Sequence, residues 1–258
     1  MCYYMKMGAC ATEPERVRIL KKYGYDFFEF GFAWVRGMSE QEFEELLAVS
    51  EETGLRGEGA NCFADPPMRL FNCTHDELDD YLESGLVRAK RLGMQYLVIG
   101  SGYARSIPDG MLREEAMHFF ITMLQRFGKI AEQYDIDIII EPLFSKACNF
   151  INTFREGLAL CRAVNHPRVG CLMDFFHSYQ ENEPFSVLEE AGSHLKHIHL
   201  STLDRRIPGD GDVAETQMLA QLLKDIDYCG RVTMEGDAQV DFDAEIGEFS
   251  RQFGLFAQ

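Results

Sequence analysis

Short apolar runs alternate with longer amphipathic segments along the whole of this chain, and eight such alternations fit within its 258 residues. The strand-like runs cover 3–8, 25–30, 55–63, 96–100, 136–141, 168–174, 195–200 and 231–235. Helices fit between them and after the last. Four predicted helix starts carry a hydroxyl with a Glu three residues on, which together satisfy free N–H groups. These are Thr12 with Glu15, Ser39 with Glu42, Thr74 with Glu77 and Thr153 with Glu156. Eight strand–helix pairs in this length predict an α/β fold, a single closed (β/α)8 barrel spanning residues 1–258. An open doubly wound sheet is the other arrangement open to such a pattern. No linker, low-complexity tract or internal repeat divides the chain. No Gly-x-Gly-x-x-Gly follows the first run, and no phosphate-binding Walker loop is present.

Four of the runs end in a residue that binds hard or borderline metals. Ile138-Ile139-Ile140 leads to Glu141, Cys171-Leu172-Met173 to Asp174, His197-Ile198 to His199, and Val232-Thr233-Met234 to Glu235. Parallel barrel strands all point the same way, so the four ends are expected at one face. Two Glu, one Asp and one His there make an oxygen-rich divalent site. Taken singly, each has a plainer explanation. Glu141 and Glu235 could pair with a neighbouring base, and Asp174 could cap the next helix. His197 and His199 lie two apart on a strand and share a face, so one can ligate while the other packs or hydrogen-bonds in the core.

Composition narrows the function classes. The formal net charge of −17, from 42 acidic and 25 basic residues, argues against a nucleic-acid partner, which needs a basic face. No apolar run is long enough to span a bilayer. The first six residues, Met1-Cys2-Tyr3-Tyr4-Met5-Lys6, lack the basic-then-apolar layout of a signal peptide. The eight cysteines include no Cys-x-x-Cys pair and read as reduced, buried thiols of a cytoplasmic protein.

Several motifs, in order along the chain, resemble the sugar phosphate isomerase/epimerase family of xylose isomerase-like barrels, above all its D-tagatose and D-psicose 3-epimerase branch. They are Glu141-Pro142-Leu143 with Asn149-Phe150-Ile151-Asn152-Thr153, Asp174-Phe175-Phe176-His177, His197-Ile198-His199 with Asp204-Arg205-Arg206-Ile207-Pro208-Gly209, and Met234-Glu235-Gly236. The resemblance implies that Glu141, Asp174, His199 and Glu235 hold one divalent ion, Mn²⁺ foremost, with Mg²⁺, Co²⁺ or Zn²⁺ as alternatives. It implies that Glu141 and Glu235 flank the reacting carbon and exchange a proton with it. His177 and Arg205 match positions that bind substrate oxygens. Lys146 and Cys62, at the end of the third run, complete the substrate-binding candidates. A dimer or tetramer would fit the resemblance.

The expected chemistry is isomerisation or epimerisation of a keto sugar, by proton transfer next to a carbonyl through an enediolate. An inosose- or dehydroshikimate-type dehydratase would share the first step and then expel water. A non-catalytic sugar-binding barrel is the rival outside catalysis. An endonuclease IV-like repair enzyme would need more His ligands and a basic DNA face. One position departs from the epimerase pattern: a substrate-contacting Glu is expected six residues after Glu141, where this chain has Ala147. Arg69, Arg105, Lys146, Arg205 and Arg206 fall in the predicted βα loops. With Ala147 they suggest a locally basic mouth suited to a sugar acid or sugar phosphate.

Overall fold

In the computed structural model, which describes residues 4–257, eight strands pair in parallel, each with the next and the last with the first, closing a barrel. They are β1 (Lys6–Cys10), β2 (Phe27–Gly31), β3 (Arg56–Asn61), β4 (Tyr96–Ile99), β5 (Asp137–Ile140), β6 (Val169–Asp174), β7 (Leu195–Leu200) and β8 (Arg231–Met234). The first strand starts later than the apolar pattern predicts, because Lys6 registers with Arg231 and Cys10 with Glu29. Tyr3, placed by that prediction in the strand, lies outside the described residues. The helices are α1 (Pro14–Lys22), α2 (Phe32–Gly37), α3 (Glu40–Thr53), α4 (His75–Leu92), α5 (Gly102–Arg105), α6 (Arg113–Tyr134), α7 (Phe154–Val164), α8 (Phe175–Gln180), α9 (Val213–Asp225) and α10 (Phe242–Ser250).

The predicted caps divide. Ser39 and Thr74 form complete capping boxes with Glu42 and Glu77. Thr153 accepts from the Glu156 N–H, but the Glu156 carboxylate turns to the Asn152 N–H at 2.6 Å. Thr12 caps nothing. Its hydroxyl accepts from Gly31 N at 3.0 Å, tying the loop after β1 to the end of β2. Helix α1 starts instead at Pro14, whose missing N–H needs no cap. The β6–β7 connection also differs from the expected full helix. Pro184 and Gly192 (φ 52°) punctuate it, leaving the short α8 and two 3₁₀ turns.

The layering of the barrel interior explains the site. Phe27, Tyr96, Val98, Ile139 and Leu172 form a small core cluster, while a larger one packs elsewhere around it. Strand side chains alternate, so the residue two places on shares a face. Phe27 is thus followed by Glu29, Ile139 by Glu141, Leu172 by Asp174, His197 by His199 and Thr233 by Glu235. One period of each strand separates an inner layer from a polar layer at the C-terminal pole. Burying each large apolar side chain contributes about 1.5–3 kcal/mol, so the inner layer is a rigid floor.

Among the described residues no helix is long and apolar enough to cross a membrane. The cysteines are less uniformly buried than expected. Cys148, Cys161 and Cys171 are buried, Cys10 and Cys73 are half-buried, and Cys62 and Cys229 are exposed.

Candidate functional site

Four of the predicted residues meet at the C-terminal pole. One ligand-type atom from each of Glu141, Asp174, His199 and Glu235 lies within 4.8 Å of the others. Neighbouring strands set this through register, with Asp174 opposite His199 and His199 opposite Thr233.

Glu141 sits where β5 ends, and two features hold it. Gly100 at the end of β4 leaves the room, since a Cβ there would strike the Glu141 carboxylate. Arg105, fully buried, donates to the carbonyls of Gly100 (2.7 Å) and Glu141 (2.5 Å). The basic residue predicted for the mouth is therefore a backbone clamp under it. Asp174 is both a cap and a site residue. Its Oδ1 accepts from His177 N at 2.8 Å, which opens α8, and its Oδ2 lies 3.3 Å from Arg205 Nη1. Burial raises the Asp174 pKa, and the charges of Glu235 and Glu141 push the same way. Arg205 adopts a left-handed φ of 69°, held by Arg205 N to Thr202 O and Asp237 N to Arg205 O. From there its guanidinium reaches Asp174, Glu235 (3.1 Å) and His177 Nε2 (3.3 Å).

His199 is the hinge of the arrangement. Its Nδ1 lies 3.1 Å from Glu141 Oε1 and 3.0 Å from Glu235 Oε2, and its Nε2 lies 3.0 Å from Glu29 Oε1. Glu29, on β2, is fully buried. It gathers His199, His197 (3.2 Å), the Tyr96 hydroxyl (2.6 Å) and the Thr233 hydroxyl (3.0 Å). Burial would raise the Glu29 pKa, but His199 and His197 outweigh it and hold it well below the usual carboxylate range. Burial likewise opposes ionisation of Glu235, yet His199 and Arg205 bring it down to about 2. Burial holds His197 neutral, at about 4.

Sequence reasoning missed Glu29. The signal was present: Phe27-Phe28-Glu29-Phe30 places a carboxylate inside an apolar strand, the same argument that singled out Glu141.

The donor set fits a divalent cation. A single proton on His199 Nδ1 cannot bond both glutamates that face it. Glu235 Oε2 is buried without a hydrogen bond of good geometry. Three carboxylates and one imidazole nitrogen, all buried except the part-exposed Glu235, make an oxygen-rich donor set suited to a hard divalent cation.

A cavity of about 650 Å³ opens beside this cluster, bounded by Glu235, Arg205, Cys10, Asn61 and Cys62 among others. Cys62 lines it from a left-handed φ of 44°. The other predicted basic residues do not form a mouth. Lys146 is exposed and outside the cavity. Arg69 donates to Tyr103 O and stacks over that ring. Arg206 pairs with Asp204 and Asp212. Glu13, Glu29, Asp65, Glu235 and Asp237 line the cavity against only Arg16 and Arg205. The expectation of a locally basic mouth is corrected: the mouth is acidic.

A xylose isomerase-like TIM barrel profile matches residues 17–249, and the chain belongs to that family. It is 31% identical over 116 residues to a D-psicose 3-epimerase of Ruminiclostridium cellulolyticum, which covers 45% of this chain and 39% of the relative. A probable ketose 3-epimerase of Synechocystis sp. is 33% identical over 119 residues, covering 45% and 41%. An inosose isomerase of Halalkalibacterium halodurans is 27% identical over 163 residues, covering 57% and 55%. The matched stretch thus spans about two-fifths to just over half of these relatives. Among solved structures, a D-allulose 3-epimerase from Methylomonas sp. in complex with D-allulose superposes with a TM-score of 0.82 at 19% identity, over 96% of both chains. A 3-keto-D-glucoside 4-epimerase from E. coli gives 0.79 at 21%, over 96% and 97%. At these identities the superpositions show the fold.

Proposed function

We propose that this chain is a divalent-metal-dependent isomerase or epimerase of a keto sugar. The observation that carries the reading is the convergence of Glu141, Asp174, Glu235 and His199 Nδ1 at the C-terminal pole. The ketose 3-epimerases and inosose isomerases among its relatives support the reaction class.

Glu141, Asp174, His199 and Glu235 would hold the ion, with Mn²⁺ the first choice. Held by these residues, such an ion would supply Lewis acidity at a substrate carbonyl. Glu141 and Glu235 approach from different strands, β5 and β8, and are the proton-transfer pair. One removes the proton next to the carbonyl, leaving an enediolate, and the other returns a proton to the opposite face. The sugar keeps its mass. Arg205, anchored by its strained backbone, points charged donors at substrate oxygens beside Glu235, and His177 supports it. Glu29 is a positioning residue. By accepting from His199 Nε2 it fixes the tautomer whose Nδ1 is bare and aimed at the ion.

The test is solvent exchange. Incubated with Mn²⁺ and a ketose panel in D₂O, the protein should place deuterium on the carbon beside the carbonyl and yield an isomer or epimer. A product lighter by one water would instead identify a dehydratase, and unchanged, unlabelled sugars a binding module.

A further inference from the structure

The cavity is placed oddly for a monosaccharide. Of the four clustered residues only Glu235 lines it; the rest of the lining comes from β1, β2 and β3 and from the segments that follow β1, β2, β3, β7 and β8. Its volume of about 650 Å³ falls mid-range for sites that enclose drug-sized ligands, roughly 300–1,000 Å³. A ketose with its carbonyl end at Glu235 and Arg205 would leave other lining residues, Trp34 among them, for a further group.

That remaining lining has its own chemistry. Trp34, the chain's one tryptophan, stands on α2 with 57% of its surface exposed while lining the cavity. An indole face offers a flat apolar platform with an N–H at its edge, which suits the C–H face of a sugar ring. Phe242, across the cavity's lining, carries Arg16 stacked 4.5 Å over its ring, and Arg16 is further engaged by Glu13 at 3.5 Å. Arg205, the other cation, has its charge offset by Asp174 and Glu235. Asp65 and Asp237 bring further negative charge to the lining. Carboxylates accept hydrogen bonds from hydroxyls and repel anions.

We infer that the cavity between Glu235 and Trp34 is a subsite for a neutral glycosyl group carried by the keto sugar, so that the preferred substrate is a glycosylated ketose rather than a free one or a sugar phosphate. Trp34 stacks on the appended ring, and Asp65 and Asp237 accept from its hydroxyls. This rests on the proposed epimerase reading and narrows its substrate.

Because Trp34 is the sole tryptophan, its fluorescence reports the subsite directly. The Mn²⁺-loaded protein is titrated with D-fructose and with isomaltulose and trehalulose, which carry glucose on opposite ends of fructose. Calorimetry gives the affinities, and deuterium exchange in D₂O is measured for each sugar. At least one disaccharide should bind about tenfold more tightly than fructose, with a saturable change in Trp34 emission. Trp34→Ala should erase most of that ratio by calorimetry, and Trp34→Phe should retain most of it. Deuterium exchange into fructose with no gain for either disaccharide would overturn the subsite and leave the epimerase reading standing. Tight disaccharide binding with no exchange in any sugar would uphold the subsite and sink the epimerase reading. Emission that tracks protein concentration and ignores sugar would assign Trp34 to a subunit contact and overturn the proposal.

Discussion

The two ends of this barrel both carry dense charge, and they treat it oppositely. At the N-terminal pole every acid named here has a base. Glu58 lies between Lys6 (2.8 Å) and Arg231 (2.5 Å). Asp137 meets Lys196 at 3.1 Å, and Arg168 spans Asp135 and Asp137. At the C-terminal pole Glu29, Glu141, Asp174 and Glu235 crowd around Arg205 and the imidazoles of His177, His197 and His199, with Arg105 buried behind Glu141. The paired end serves stability, where each bridge is a local balance of desolvation and attraction. The acid-rich end offers ligand atoms for a further cation. Barrels of this type place chemistry at the end where the strands finish, and the charge imbalance locates it independently.

The largest effects should come from the unbalanced end. Glu141→Gln and Glu235→Gln should each lower deuterium exchange at least a hundred- to ten-thousandfold, the usual worth of a positioned acid or base. Metal content is measured alongside by elemental analysis, because each substitution also removes a ligand. A fully loaded Glu235→Gln protein with native turnover would remove that residue from proton transfer.

Glu29→Gln comes next. The amide keeps the shape but no longer fixes the His199 tautomer, so Mn²⁺ affinity by calorimetry should fall about ten- to a hundredfold. Nitrogen-15 shifts of the His199 ring should show Nε2 losing its proton for part of the population. Unchanged affinity and shifts would reduce Glu29 to core packing.

At the paired end the pattern should reverse. Glu58→Gln removes the carboxylate charge that Lys6 and Arg231 share and should cost about 1–3 kcal/mol in urea unfolding. Mn²⁺ affinity should stay within twofold. A large loss of metal binding from this substitution would erase the distinction between the poles. The smallest effect belongs to Lys146→Ala. The side chain is exposed and away from the cavity, so KM for any ketose should shift less than twofold. A tenfold rise in KM would bring Lys146 back as a substrate contact.

Much of this was legible in the sequence because the barrel obeys period-two strands. The runs ending at Glu141, Asp174, His199 and Glu235 carried both the fold and the cluster. What escaped depended on contacts that spacing does not encode. Glu29 went unremarked because one Glu among three Phe reads as strand before it reads as site. Arg105 seemed a loop cation because its position after β4 says nothing of the two carbonyls waiting beneath it. Thr12 had the spacing of a cap, yet Gly31 N offered a tertiary partner and Pro14 removed the local one. The acidic cavity was hidden because its carboxylates come from β2 and from the segments after β1, β3 and β8, far apart in the chain.

The central claim is that the unbalanced pole takes one divalent ion and moves a proton on a keto sugar. Its most direct measurement is a Mn²⁺ titration of metal-free protein in D₂O, with a panel of free and glycosylated ketoses present, read by mass spectrometry and NMR. The account predicts one ion bound per chain and, only in the loaded protein, a single deuterium at the carbon beside the carbonyl with epimer formation. A stoichiometrically loaded protein that leaves every sugar in the panel unlabelled would contradict it.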